Sequence, residues 1–195
     1  IIAVLDSGVY WDNDDLVNKY YLNRGELPPP AEACRGPNYK DSDPWDADGD
    51  GIFNTLDYAT ENGNAVPKTP CDPKVPDANK NGMMDPQDLL LTFTDGKDDD
   101  NNGYFDDISG WDFFRNDNDA YDEVRFGHGN GEARDSGSEG NNGRGGIGIC
   151  PECTVLMIRV GDSFVADSND FSAAVIFGVD SGASVIQQAL GGLNR

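Results

Sequence analysis

Two twelve-residue stretches rich in aspartate, asparagine and glycine constrain this chain more than any other feature. Each carries oxygen-bearing side chains at positions 1, 3, 5, 9 and 12 and a glycine at position 6. This is the spacing of an EF-hand loop, in which the glycine makes a sharp turn and the oxygens surround a hard cation. We therefore expect two Ca²⁺ sites. The predicted ligands are Asp46, Asp48, Asp50, Asn54 and Asp57 in the first loop and Asp77, Asn79, Asn81, Asp85 and Asp88 in the second.

A third, looser copy of the pattern begins at Asp98. Its predicted ligands are Asp98, Asp100 and Asn102, and a serine, Ser109, occupies its twelfth position, so the pattern leaves its closing ligand open. The two complete loops end in Asp where an EF-hand has Glu, which resembles the loops of dockerins and thrombospondins. The alternative is that all three are solvated Asp/Asn/Gly turns without an ion.

The charge distribution supports the cation hypothesis. The chain has a formal net charge of −22, and residues 41–123 hold 22 acidic side chains against five basic ones. Such a density of carboxylates repels itself unless cations neutralise it, and it disfavours nucleic acid and anionic membranes as partners. No apolar run approaches the length that spans a bilayer, so we expect no membrane span.

Hydrophobic patterning outside the acidic region predicts an α/β fold. An apolar run over 1–5 indicates a buried strand, and a second strand is predicted over 154–160. A helix should follow, capped by Ser168, Asn169 or Asp170 and ending near Asp180, and then a strand over 183–186. A strand, a helix and a strand in this order form one right-handed crossover of a parallel sheet.

Four cysteines favour an oxidising compartment, and hence secretion, although four cysteines allow three pairings. A bridge between Cys34 and Cys71 would enclose the first calcium loop. Cys150 and Cys153 could contribute to a zinc site, but a local disulfide is favoured because the chain has one histidine.

That histidine, His128, lies between two glycines, and a lone histidine is most often a surface or packing residue. Together with other motifs, however, it gives the chain a resemblance to the subtilase family of serine peptidases. The motifs are Ala-Val-Leu-Asp-Ser-Gly-Val at 3–9, the acidic run at 100–107, Gly-Trp-Asp-Phe at 110–113, Gly-His-Gly at 127–129, Gly-Ile-Gly-Ile-Cys-Pro at 146–151 and Ala-Leu-Gly-Gly at 189–192.

The resemblance implies a three-layer subtilisin-like fold with a mostly parallel sheet, and a secreted endopeptidase acting on proteins or peptides. Asp6 and His128 would be two members of an Asp-His-Ser triad. Asp15 would bind calcium, as its counterpart does in many members. The strand formed by Leu190, Gly191 and Gly192 would pair with the substrate backbone.

The resemblance also implies that 1–195 is a partial catalytic domain, incomplete as a fold, with an inserted, loop-rich acidic segment at 23–91. No serine stands in a Gly-Thr-Ser-x-Ala context, so we expect the nucleophile beyond Arg195. Asn130 and Gly131 replace the family's usual Thr and second His, and Ala189 replaces its usual Ser. Two alternatives therefore stay open, a non-catalytic subtilase-like protein and a calcium-loop adhesion or scaffold module.

Overall fold

The computed structural model describes residues 1–61, 67–123, 127–162 and 166–191. Within these ranges, the strands are β1 Ile2–Asp6, β2 Ala59–Glu61, β3 Pro67–Pro70, β4 Trp111–Asp112, β5 Val155–Arg159 and β6 Val185–Gln188. The α-helices are α1 Pro86–Phe93, α2 His128–Gly137 and α3 Ser168–Asp180, and two short 3₁₀ helices span Glu32–Cys34 and Thr55–Tyr58. None of these helices is both long and apolar enough to cross a bilayer.

A parallel sheet forms the centre of the fold, in the strand order β4-β5-β1-β6. Strand β1 pairs in parallel with β5 on one side and with β6 on the other. Both β1 and β5 are buried along their whole length, as the unbroken apolar runs predict for strands covered on two faces. The predicted α/β class is therefore confirmed.

Side chains alternate along β1 between two apolar clusters. Val4 lies in one cluster with Ala133 of helix α2, and Leu5 lies in the other with Phe177 of helix α3. The two helices therefore cover opposite faces of the sheet. This gives three layers and places the first residue of α2 beside the carboxyl end of β1.

The acidic segment at 23–91 shares the core of the sheet. Leu27, Phe53, Val75 and Leu89 are buried in the same cluster as Val4. The antiparallel pair of β2 and β3, the two 3₁₀ helices and most of α1 lie in this segment. Its polar loops are therefore anchored by apolar side chains that pack under the sheet.

Two boundaries differ from the sequence-based expectation. The N-cap of α3 is Asp167, whose side chain accepts from the backbone N–H of Asn169 at 2.8 Å. The last strand begins at Val185, two residues later than predicted. The reason is that the turn that closes α3 after Asp180 includes Ala183, whose N–H donates to the carbonyl of Gly178.

Candidate functional site

A carboxylate and an imidazole meet at the carboxyl end of β1. Asp6, the last residue of the strand, is fully buried, and its Oδ1 lies 2.7 Å from Nδ1 of His128, the first residue of α2. The same oxygen accepts from the backbone N–H of Ser7 at 2.7 Å. A carboxylate that accepts from Nδ1–H leaves Nε2 as the atom that can take up a proton. The structure thus brings together the two residues predicted from the sequence, and His128 keeps a side chain that is 26% exposed.

Close backbone packing fixes this geometry. Gly127 caps α2 in the left-handed conformation, with φ of 76°, and its N–H donates to Asp122 Oδ2 at 2.6 Å. The N–H of Gly129 donates to Ser7 Oγ at 3.1 Å. A Cβ atom on Gly129 would lie 2.3 Å from the carbonyl oxygen of Gly8. Only glycine at this position lets α2 approach β1 closely enough for His128 to reach Asp6.

Two of the three residues that depart from the family pattern, Asn130 and Gly131, lie next to this pair. Asn130 Oδ1 accepts from Asn13 Nδ2 at 3.1 Å and from the backbone N–H of Tyr10 at 3.4 Å. This side chain ties α2 to the turn that follows β1. Gly131 faces open space, since a Cβ there would meet nothing within 4 Å. Neither residue separates Asp6 from His128.

A second carboxylate, which the sequence analysis missed, faces the other side of the imidazole. Glu132 Oε1 lies 3.8 Å from His128 Nε2. Glu132 Oε2 accepts a hydrogen bond of 2.6 Å from Gln187 Nε2, on β6. The i, i+4 spacing from His128 on a helix is the signal that could have identified Glu132.

Next to Asp6 in the sheet lies a buried ion pair that the sequence analysis also missed. Arg159 is opposite Asp6 in the β1–β5 register, and its Nη1 lies 2.8 Å from Asp112 Oδ2, with both side chains fully buried. Its Nη2 lies 2.7 Å from Asp162 Oδ1. Burial raises the pKa of Asp112 to about 6, against the opposing attraction of Arg159. An arginine at the end of an otherwise apolar, buried strand is the signal for such a pair.

The residues predicted to pair with substrate follow β6. Leu190 is partly buried and packs against the cluster that contains Phe177, whereas Gly191 is exposed. Gly192 lies outside the described residues. Because β6 is parallel to β1, Leu190 and Gly191 follow the end of the sheet that carries Asp6.

The first two predicted calcium loops have the same internal bonding. The closing carboxylate of each loop accepts from the backbone N–H groups of positions 2 and 3, at 2.6 and 3.3 Å for Asp57 and at 2.6 and 3.1 Å for Asp88. The first carboxylate of each loop, Asp46 or Asp77, accepts from the glycine at position 6, at 3.1 and 3.0 Å. Burial raises the pKa of Asp57 to about 7 and that of Asp88 to about 6.

The donor set of the first loop fits a hard cation. One carboxylate oxygen from each of Asp46, Asp48 and Asp50 lies within 4.8 Å of the others. In the second loop Asn79 and Asn81 take the places of two of these carboxylates, and their side-chain amides donate to Asp85. Oxygen-only donors at this density are the ligands that calcium prefers.

The third loop takes its closing carboxylate from a distant segment. Glu26 Oε1 accepts from the backbone N–H groups of Asp99 and Asp100, at 2.9 and 3.2 Å. These are positions 2 and 3 of the loop, so Glu26 makes the contacts that Asp57 and Asp88 make in the complete loops. Glu26, Asp98 and Asp100 also form a carboxylate cluster within 4.8 Å. Ser109, the residue at the twelfth position, donates instead to the carbonyl of Tyr21 at 2.7 Å.

Two more residues complete the third loop. Asp107 Oδ2 accepts from Asn102 Nδ2 at 3.0 Å, as Asp85 accepts from Asn81 in the second loop. Asn23 Nδ2 donates to Asp100 and to Asp107, at 2.9 Å each. Burial raises the pKa of Asp107 to about 7.

Asp15, the predicted calcium ligand outside the three loops, is buried beneath the loop that follows α2. Its Oδ1 accepts from Asn142 Nδ2 at 2.8 Å and its Oδ2 from the N–H of Gly146 at 3.0 Å. A Cβ on Gly145 would lie 2.1 Å from Asp15 Oδ2. The carboxylate therefore organises this loop.

All four cysteines are paired in the structure. One disulfide joins Cys34 to Cys71 and the other joins Cys150 to Cys153. The first encloses the Asp46–Asp57 loop, and the second leaves no thiolate for a zinc site.

Comparison with known proteins identifies the family of the chain. The model of one protein family, described as the subtilase family, matches residues 1–195. The match includes Asp6, His128 and the acidic segment at 23–91. A search of curated proteins found no match.

Proposed function

Because this chain belongs to the subtilase family of peptidases, we propose that it supplies the aspartate and the histidine of a serine endopeptidase centre. The observation that carries the proposal is the contact of 2.7 Å between Asp6 Oδ1 and His128 Nδ1. His128 Nε2 would take the proton from a serine hydroxyl as the hydroxyl attacks a peptide carbonyl. Asp6 would hold the ring in the required tautomer and stabilise the imidazolium.

The nucleophile would belong to a part of the protein outside these 195 residues, because no serine here stands in the family's sequence context. Protein or peptide substrates would pair with the backbone at Leu190, Gly191 and Gly192. The segment at 23–91 is an insertion that packs under the sheet. The two disulfides support secretion, since such bridges persist in oxidising compartments.

A serine-directed phosphonate tests this function. The complete peptidase should be labelled on one serine, and the label should be lost in the His128→Ala variant. The 195-residue chain should not be labelled. Labelling of this chain would place the nucleophile within it, and an unlabelled complete protein would indicate a non-catalytic member of the family.

Ca²⁺ is the cofactor that the acidic loops fit. Asp46, Asp48, Asp50, Asn54 and Asp57 would bind one ion, and Asp77, Asn79, Asn81, Asp85 and Asp88 a second. Asp98, Asp100 and Asn102 would bind a third with Glu26 and Asp107, and Asp15 would contribute to a site beside α2. The bound ions would neutralise the carboxylates and keep 41–107 compact.

A further inference from the structure

Beside the candidate catalytic pair, the imidazole of His128 lies between two carboxylates. Asp6 contacts Nδ1 at 2.7 Å, and Glu132 faces Nε2 at 3.8 Å. We propose that Glu132 is a positioning residue of the peptidase centre, held by Gln187 so that its charge stabilises the imidazolium that forms when Nε2 takes up the serine proton. This inference rests on the proposed function and deepens it.

The orientation of Glu132 is fixed by a neighbouring strand. Gln187 on β6 donates to Glu132 Oε2 at 2.6 Å, which turns the other oxygen, Oε1, towards the ring. The 3.8 Å separation exceeds that of a direct hydrogen bond, so Nε2 stays able to accept a proton from another group. Glu132 therefore acts on His128 through charge.

The charged and titratable groups near the imidazole come from three elements besides α2 itself. From β1, the group that faces the ring is Asp6. From β5, Arg159 is opposite Asp6, and its guanidinium is engaged by Asp112 and Asp162. Tyr10 is beside Gly127, at the start of α2. Among the residues that the structure describes, Asp6 and Glu132 are thus the two carboxylates with an atom within 4.0 Å of an imidazole nitrogen.

Glu132 also connects the imidazole to the substrate side of the site. Leu190 is the first residue of the proposed substrate strand, and Gln187 lies three residues before it. Any shift of β6 when a peptide pairs with that strand moves the amide that holds Glu132.

The first test is kinetic and uses the complete peptidase. Glu132→Gln should lower kcat by about three- to tenfold and leave KM within about twofold, since the lost interaction forms with the transition state. The acid limb of the kcat/KM profile should move to lower pH by roughly half a unit to one unit, because a negative charge near a base favours its protonated form. Asp135→Asn, an exposed carboxylate on the same helix, is the matched control and should change neither quantity.

The dependence on Gln187 is tested by a double-mutant cycle. Gln187→Leu should give a smaller change in the same direction, and the double variant should match Glu132→Gln alone because Gln187 acts through Glu132. Strict additivity would overturn the proposed link. A change in melting temperature without a change in the pH profile would also overturn the proposal, because it would show a purely structural role.

A spectroscopic test separates this inference from the peptidase function. His128 is the single histidine of the 195-residue chain, so its ring ¹⁵N signals can be assigned directly. At one pH near neutrality, Glu132→Gln should shift these signals towards those of neutral imidazole, whereas Asp135→Asn should not. If the complete protein fails to hydrolyse peptides, this shift still supports the coupling, and its absence overturns it.

Discussion

The carbonyl oxygen of Gly8 comes so close to Gly129 that a Cβ atom on Gly129 would lie 2.3 Å from it. This contact sets the distance between the turn after β1 and the first turn of α2. His128 and Asp6 belong to the same two segments, so their hydrogen bond depends on that spacing.

Gly129→Ala should therefore separate the two residues. The new methyl group meets backbone, which cannot rotate away, so we expect a loss of about 1–3 kcal/mol in the free energy of unfolding. A shift of His128 by about 1 Å should also lower kcat/KM by about 10²-fold. Urea denaturation and peptide hydrolysis measure the two effects.

Gly131→Ala is the matched control on the same helix. Its Cβ would meet nothing within 4 Å, so the variant should be stable or gain about 0.5–1 kcal/mol from reduced backbone entropy. Equal losses in both variants would contradict the steric explanation.

The catalytic assignment predicts a much larger loss of rate. Asp6→Asn should lower kcat by about 10⁴-fold because the amide cannot hold His128 in the same tautomer. His128→Ala should lower kcat at least as much, and the fold should stay intact because Asp6 keeps the hydrogen bond from the N–H of Ser7. Hydrolysis of a peptide by the complete protein is the measurement. Activity above about a tenth of wild type in His128→Ala would show that the assignment is wrong.

The sequence predicts the central elements of the fold because their patterns are local. Strands β1 and β5 are apolar runs that each end in one charged residue, and α3 repeats its apolar residues at helical spacing. Helix α2 is harder to predict from composition, since three of its ten residues are glycine. It forms because its glycines allow close contact with β1, which is a property of the packed structure.

The sequence predicts those residues of the candidate site that belong to a local motif. The ligand pattern of the complete loops repeats over twelve residues, so each closing aspartate is visible in the sequence. Glu26, by contrast, contacts Asp99 from 73 positions away. Gln187 reaches Glu132 across 55 positions. No local pattern encodes such contacts, because tertiary packing creates them.

The buried pair of Arg159 and Asp112 should make stability depend on pH. The pKa of Asp112 is about 6 in the folded state against an ordinary value of 3.8. The folded state thus binds this proton more tightly, so the contribution of Asp112 to stability is greatest below pH 3.8 and falls as the pH rises to about 6.

Arg159→Met should cost about 3–5 kcal/mol where Asp112 is ionised, because an uncompensated charge then stays buried. The loss should be larger at pH 7.5 than at pH 5, where protonation of Asp112 removes the need for a partner. Urea denaturation at both values, in saturating calcium, checks this. Arg134→Met, at an exposed position of α2, should show no such difference.

Calcium should determine the stability of the acidic segment. At a hundredfold excess over Kd, each site should add about 2.7 kcal/mol, so chelation should lower the melting temperature and expose 41–107 to proteases first. Magnesium should substitute poorly because it prefers a small octahedral shell. In calorimetric titration of metal-stripped protein, Asp46→Ala and Asp77→Ala should each lose one binding event. Asp41→Ala, outside the loops, should lose none. Melting curves that do not respond to chelator would contradict the calcium proposal.

The third loop offers the sharpest test, because its closing carboxylate is Glu26, outside the loop. Glu26→Gln keeps an oxygen that can accept from the N–H groups of Asp99 and Asp100, so the loop can keep its shape. The substitution removes one negative charge from the ligands of the cation. We expect titration to show one binding event fewer, or one weakened at least tenfold. Glu32→Gln, whose side chain is 87% exposed, is the matched control and should bind like the wild type.

Melting temperatures of the Glu26→Gln variant should change in opposite directions with and without calcium. Burial and the nearby carboxylates of Asp99 and Asp100 raise the pKa of Glu26. Without cations, removing this carboxylate relieves repulsion and should raise the melting temperature. With saturating calcium, the variant lacks the stabilisation that the third ion gives the folded state and should melt below the wild type. An unchanged number of tight binding events in Glu26→Gln would show that Glu26 is a structural contact of the loop and contributes nothing to cation binding.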